Sequence, residues 1–270
     1  MSSGFAGNAF LHSLVWAAGA IVIVLVLTVI ASKKAGKHSV IDTAWGLLFC
    51  AAAVPAFLRS SAEGDAARRW LLLLMTALWG LRLAVHIGLR SIGKNEDPRY
   101  AKMLDGRSPL YTIAIVYGLQ GALAFLVSMP VVLGSFERAP LTPLAFLGVA
   151  LWLIGVFFEG VGDWQMERFK ADPHRGTVMD RGLWRYTRHP NYFGDACVWL
   201  GIFCVAASRW PGVLTVFSPI IMVYLLAFGS GKRVLEKAMA DRPGYREYTQ
   251  RTSGFIPMPP RRSPMPPRGS

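Results

Sequence analysis

The sequence predicts an all-α protein, a polytopic membrane bundle of seven transmembrane helices with its N-terminus outside and its C-terminus in the cytosol. Three observations predict it. The 270 residues are 53% hydrophobic and 17% charged, against about a quarter charged in soluble proteins. The apolar residues gather into seven runs of near bilayer-spanning length, at roughly 13–31, 40–58, 70–89, 110–133, 143–161, 192–208 and 212–229. The basic residues alternate sides between those runs. Of 29 lysines and arginines, 23 follow the first, third, fifth and seventh runs, 5 lie at the opposite ends, and Arg82 sits inside the third. That asymmetry sets orientation by the positive-inside rule.

The first run has no basic residue before it and no small-residue cleavage pattern after it, so it reads as a retained helix rather than a signal peptide. Asp42 opens the second run from the cytosolic side. In the third, Arg82, His86 and Arg90 recur every four residues and share one helix face. Gln120 sits mid-depth in the fourth. The fifth ends with Glu159, Asp163 and Glu167 at the same four-residue spacing, then Lys170. Arg209-Trp-Pro-Gly212 forms a tight turn between the sixth and seventh, and Pro219 kinks the latter. Gly229-Ser-Gly231 breaks the last run, and Lys232 to Asp241 forms an amphipathic helix at the membrane surface. Residues 1–258 thus read as one membrane domain with a C-terminal interfacial helix, and 259–270 as a disordered Pro/Arg-rich tail.

A net charge of +13 raises nucleic acid as a partner, but the charge is dealt among short loops. Membrane lipids are the expected partner, and nucleic acid is not. The three cysteines, Cys50, Cys197 and Cys204, lie within apolar runs. They offer neither a disulfide framework nor metal-ligand spacing, and no metal site is expected.

The densest chemistry lies at Asp180-Arg-Gly-Leu-Trp-Arg-Tyr-Thr-Arg-His-Pro-Asn-Tyr-Phe-Gly-Asp195. Pro190 suits the first position of a helix. The backbone donors after it, with Arg188 and His189 alongside, make an anion site. A basic loop meeting only headgroups would explain the arginines, but not His189, Asn191 and Asp195 in one turn. A charge facing lipid costs about 2.5–3.5 kcal/mol even on mild scales. The ionisable groups of the second, third, fifth and sixth runs are therefore expected to face inward, around a cytosol-facing polar cavity. Bland alternatives stay open for the members: snorkelling for Arg90, Glu167 and Lys170, a structural pair with Asp42 or Asp163 for Arg82, and a core role for His86. The loop Gly93–Tyr100 reads as a turn with local ion pairs or as cover for the cavity mouth.

Four motifs carry a family resemblance: Leu78-Trp-Gly-Leu-Arg82, Gly162-Asp-Trp-Gln165, the run from Arg181 to Asp195, and Arg242-Pro-Gly-Tyr-Arg-Glu-Tyr248. Together they resemble the DUF1295 group of the steroid 5-alpha-reductase-like superfamily, over roughly residues 15 to 258. The resemblance implies a cytosol-facing NADPH pocket, a lipophilic enone entering from the bilayer, and reduction of its carbon–carbon double bond. It implies cofactor contacts at Asp163, Lys170, Asn191, Asp195 and Arg251, with Arg181, Arg188, His189 and Tyr192 in the same motif. The reductases hold the substrate carbonyl with a Glu on helix two and a Tyr on helix three. The nearest counterparts here are Asp42 and Trp79, with Arg82 and His86 further along helix three. An indole cannot act as a phenolic acid.

Arg188-His-Pro-Asn-Tyr192 also resembles the membrane isoprenylcysteine and phospholipid methyltransferases, which bind S-adenosylmethionine. Their C-terminal Glu-Glu pair is half present, as Leu235-Glu236. The expected function is an NADPH-dependent oxidoreductase acting on a CH–CH group of a lipophilic substrate. The alternative is an S-adenosylmethionine-dependent methyltransferase of a lipid or prenyl substrate, and the blandest reading is an inert scaffold. Arginines suit a cofactor rich in phosphates, whereas adenosylmethionine has none. The expected location is a bacterial inner membrane, or the endoplasmic reticulum in a eukaryote.

Overall fold

A computed structural model describes residues 5–229 and 231–261. Among them every regular element is helical, and the only β-type pairings are two isolated bridges, Phe5 with Glu137 and Thr187 with Ser253. The first three apolar runs form α1 (Gly7–Ala35), α2 (Val40–Arg59) and α3 (Ala66–Ser91). Lys33 and Lys34 occupy the last turn of α1, which closes on Gly36 at φ 64°. Cations there complement the carbonyl end of the helix, and only glycine takes that φ without strain. Asp65 caps α3 by accepting from the Arg68 backbone N–H at 2.9 Å.

A short α4 (Pro98–Leu104) lies in the following loop. The fourth run is a composite of α5 (Pro109–Thr112), a π-helical turn (Ile113–Gly118), α6 (Leu119–Val127) and α7 (Met129–Gly134). Pro130 cannot donate a backbone hydrogen bond, and the Ser128 hydroxyl returns to the Ala124 carbonyl at 2.7 Å where α6 ends. The chain continues through α8 (Pro143–Ala171), α9 (Pro190–Ala207), a 3-10 turn (Gly212–Val216), α10 (Phe217–Ala227), α11 (Lys232–Met239) and α12 (Tyr245–Arg251).

Among the described residues, six stretches are long and apolar enough to cross a membrane: Gly7–Ala35, Val40–Arg59, Ala66–Ser91, Pro109–Gly134, Pro143–Ala171 and Gly212–Met239. The seven-span expectation exceeds this by one, because α9 is not among them. Asn191 and Asp195 take up its first turn and a half, leaving Ala196–Ala207 as its apolar part. Twelve residues rise about 18 Å, short of a hydrocarbon core of about 30 Å. Of the expected disordered tail, residues 262–270 lie outside the described residues, as does Ser230 of the expected break.

The outer faces carry apolar side chains that water would not tolerate in such number. On α1 alone Leu11, Val15, Trp16, Val22, Ile23, Val26 and Leu27 are more than half exposed. Such continuous apolar surface on long helices belongs in lipid. The protein is a multi-pass membrane protein.

The chain forms two compact units, Met1–Val149 with Ile202–Ser218, and Ala150–Gly201 with Pro219–Ser270. In the first, α2 and α3 cross glycine on glycine: a Cβ at Gly46 would lie 2.2 Å from the Gly80 carbonyl oxygen. Phe49 and Trp79 meet edge-on beside that crossing at 5.3 Å, both fully buried. Two basic residues counted as loop charge are structural. Fully buried Arg68 donates to the carbonyls of Val205, Ala139 and Pro140 and to the Ser208 hydroxyl. Arg69 serves Phe57 and Ser60 at the end of α2, whose last carbonyls lack helical partners. In the second unit α8 and α9 also cross on glycines, a Cβ on Gly155 or Gly194 lying 2.5 Å from the other's carbonyl oxygen.

Candidate functional site

Each unit carries a polar constellation. In the first unit the loop after α3 returns to the start of α2. Glu96 accepts from the backbone N–H groups of His38 and Ser39, the latter at 3.0 Å, and from Asp97 N–H at 3.0 Å. It supplies the negative charge that a helix start favours. Burial raises the Glu96 carboxyl, but these N–H donors outweigh it and hold the group below the usual carboxylate range. Lys37 ties the same loop by donating to the carbonyls of Ser91 and Lys94, at 3.0 and 2.9 Å.

Thus held, α4 delivers Arg99 and Tyr100 to Asp42. The Tyr100 hydroxyl donates to Asp42 Oδ1 at 2.6 Å, Arg99 reaches Oδ2 at 3.2 Å, and Gln120 Nε2 donates to the Tyr100 oxygen at 3.3 Å. Arg99 thus places a guanidinium on Asp42. Asp97 raises the Arg99 pKa by accepting two of its hydrogen bonds, with burial opposing and Asp42 adding. Burial and the Asp42 charge push the Tyr100 phenol well above its ordinary range. It stays protonated at neutral pH, a donor rather than a base. Trp79, the sequence counterpart of a catalytic phenol, is fully buried against Phe49. Arg82 and His86 lie half-buried on α3.

In the second unit three motifs interlock. Gly182, at φ 58°, lies so close to Gln165 that a Cβ would meet its amide at 2.3 Å. Gln165 Oε1 accepts from Leu183 N–H at 2.9 Å, and the Trp184 indole N–H donates to the Gly162 carbonyl at 3.0 Å. From the C-terminal segment, the buried Tyr248 hydroxyl donates to the Trp184 carbonyl at 2.6 Å, and the Thr187 hydroxyl to that of Phe255 at 2.8 Å. Three segments distant in sequence thus converge just before α9.

Arg188 is spent within that knot. Its Nε donates to Glu236 at 2.8 Å, and one terminal nitrogen reaches the carbonyls of Thr252 at 2.6 Å and Thr249 at 3.1 Å. His189 shares Glu236 at 3.2 Å and stacks on Tyr192 with ring centroids 5.2 Å apart. Burial drives the His189 pKa down to about 4, against the pull of Glu236, so the ring is neutral at pH 7. Asn191 meets Asp163 at the 3.5 Å limit, and Arg251 pairs with Asp180. Lys170 and Arg181 are exposed. Glu236 and Tyr100 are the residues that sequence reasoning left out of the site. Both lie in polar segments beside apolar runs, but nothing local to either marks its partner.

A family model described as "Protein of unknown function (DUF1295)" matches residues 12–252. The chain belongs to the DUF1295 family. Among curated proteins, this family member is similar to the steroid 5-alpha-reductase DET2 of Arabidopsis thaliana, with 32% identity over 68 residues. That match covers 25% of the chain and 26% of the plant protein, so the chain spans about a quarter of the length of the curated relative it matches. No solved structure gives a significant match.

Proposed function

We propose that this DUF1295 protein is an integral-membrane NADPH-dependent reductase of a lipophilic unsaturated substrate, with Asp42 and Tyr100 as the pair that engages the substrate carbonyl. One observation carries the reading. The chain pairs a carboxylate on α2 with a buried, protonated phenol, 2.6 Å apart. That is the acid-and-phenol pairing expected of the steroid reductases, with the phenol drawn from α4 rather than α3. The distant likeness to a steroid 5-alpha-reductase supports the same reaction class.

The donor set suits a polyphosphate cofactor. The second unit exposes the guanidinium groups of Arg175, Arg181, Arg185 and Arg242, and guanidinium matches phosphate geometry. Of the expected cofactor residues, Asp163, Lys170, Arg181, Asn191, Asp195 and Arg251 keep that proposed role. Arg188, His189 and Tyr192 position the start of α9. NADPH would supply a hydride to the substrate's carbon–carbon double bond. As hydride adds at the carbon β to the carbonyl, charge develops on the conjugated carbonyl oxygen, and a proton from water at the α carbon completes the reduction. The Tyr100 hydroxyl turns from Asp42 to donate to that oxygen, and a preorganised donor of this kind is worth about 2.7–4 kcal/mol. Gln120 holds the phenol oxygen, and Arg99 holds Asp42 in place. The positive-inside reading puts the N-terminus outside and the loop that carries Tyr100 on the cytosolic side, where the dinucleotide is. The substrate arrives through the bilayer.

The test is thermal unfolding of the detergent-purified protein with NADPH, NADH and S-adenosylmethionine. A ligand at 100 times its dissociation constant stabilises by about 2.7 kcal/mol. Stabilisation by NADPH and not by S-adenosylmethionine is the expected result; the reverse establishes the methyltransferase.

A further inference from the structure

The second unit holds an open cleft of about 460 Å³ lined by Pro173, Arg175, Gly176, Thr177, Arg242 and Pro243. Of the residues named above, Arg175 and Arg242 line it. Two segments build it, the loop after α8 and the turn before α12, latched where the Thr177 hydroxyl donates to the Pro243 carbonyl at 2.8 Å. Its walls are set. Arg242 accepts from Tyr245 N–H at 3.1 Å and donates its own N–H to the Met239 carbonyl at 3.0 Å. Gly244, at φ 77°, makes the turn behind it.

The charge balance is one-sided. The lining carries two guanidinium groups and no carboxylate. Asp172 accepts from the His174 N–H at 2.8 Å and Asp180 pairs with Arg251, while Asp241, next to Arg242, is exposed. Arg175 spends one terminal nitrogen on the Lys170 carbonyl at 2.6 Å, which fixes its plane. Among the described residues, no side-chain hydrogen bond or ion pair engages the Arg242 guanidinium. Beside Gly176 an added Cβ would meet nothing within 4 Å, so the floor is open. Two guanidinium groups in a lining that holds no carboxylate call for a compact dianion, and guanidinium forks fit phosphate oxygens in pairs.

We infer that this cleft is a phosphate-monoester site, and that Arg175 and Arg242 take the 2′-phosphate of NADPH, making the protein selective for NADPH over NADH. The identity of the carrier rests on the reductase reading; the phosphate chemistry does not. An open, exposed cleft suits the phosphate that ends the cofactor rather than the pyrophosphate at its middle. A phosphatidic acid headgroup presents the same monoester, so the experiment separates the two sources.

Dissociation constants for NADPH and NADH are measured on the detergent-purified full chain and on Arg175→Ala, Arg242→Ala and the double variant. The double variant is expected to lose NADPH affinity at least tenfold and to keep NADH within twofold, with its unliganded melting temperature unchanged. Equal losses for both dinucleotides, or none, overturn the assignment. Adenosine 2′-monophosphate against adenosine tests the cleft independently of the reaction. Stabilisation by the monophosphate alone, abolished in the double variant, supports the phosphate site even if neither dinucleotide binds; no stabilisation rejects it. If nanodiscs containing phosphatidic acid respond to the double variant and NADPH does not, the anion is a lipid headgroup and the cofactor assignment falls.

Discussion

Replacing Arg188 with alanine separates a clamp from a ligand contact. The side chain is 12% exposed and makes three hydrogen bonds, to Glu236 and to the carbonyls of Thr249 and Thr252. Hydrogen bonds to charged groups contribute about 1.5–3 kcal/mol each, but these three share one guanidinium and are not additive. Removing one partner of a buried pair costs about 3–5 kcal/mol, and Glu236 would keep only neutral His189. At roughly 2–4 °C per kcal/mol for a chain of this size, the variant should melt about 10 °C lower without ligand. Arg188→Lys, which cannot make the same fork, should fall between. The assay is thermal unfolding in detergent with no cofactor present. An Arg188→Ala protein that melts with the wild type yet binds NADPH weakly would refute the clamp and restore Arg188 as a phosphate contact.

Tyr100→Phe removes the hydroxyl on Asp42 and should lower turnover by about 10²–10⁴-fold, the range for a positioned acid, with NADPH affinity within twofold; Asp42→Asn should do likewise, and wild-type turnover in either removes that residue from the reaction. His189 titrates near 4 in the folded protein against an ordinary 6.5, so the unfolded chain binds the extra proton between those values. Stability should therefore fall as pH drops from about 6.5 to 4, by about 3 kcal/mol in full. His189→Gln should flatten that slope, and melting curves of equal slope would count against a neutral buried ring. Gly46→Val puts a side chain 2.2 Å from the Gly80 carbonyl oxygen, so it should forfeit a monodisperse elution profile in detergent; a well-behaved variant as stable as the wild type would show that α2 and α3 do not cross there.

How much of this was legible in the sequence depends on the range over which each signal acts. The apolar runs for α1, α2, α3 and α8 read directly, because a span of some twenty apolar residues needs no tertiary context. The α9 run read as a span because its composition is apolar overall, although Asn191 and Asp195 shorten the part that lipid would accept. The Ser128–Pro130 break in the fourth run was visible as residue types, but the π-helical turn before it was not. The interlock of three motifs in the second unit was foreshadowed by their unusual residues, Gly182 and Trp184 among them. Partners were harder. Tyr100 lies 58 residues from Asp42, and Glu236 lies 48 from Arg188; neither helical nor turn periodicity reaches so far. Arginine also recognises carboxylate, carbonyl and phosphate through the same donors, so its type alone could not reveal that Arg188 was already satisfied.

The most direct test of the central claim follows the hydride. Detergent-purified protein is incubated with NADPH deuterated at the transferable position and a panel of lipophilic enones, and products are read by mass spectrometry. The account predicts a product heavier by one deuterium at the carbon β to the carbonyl, formed by the wild type and lost in Tyr100→Phe. Deuterium that never leaves NADPH, together with a methyl group passed from S-adenosylmethionine to a lipid, would contradict it.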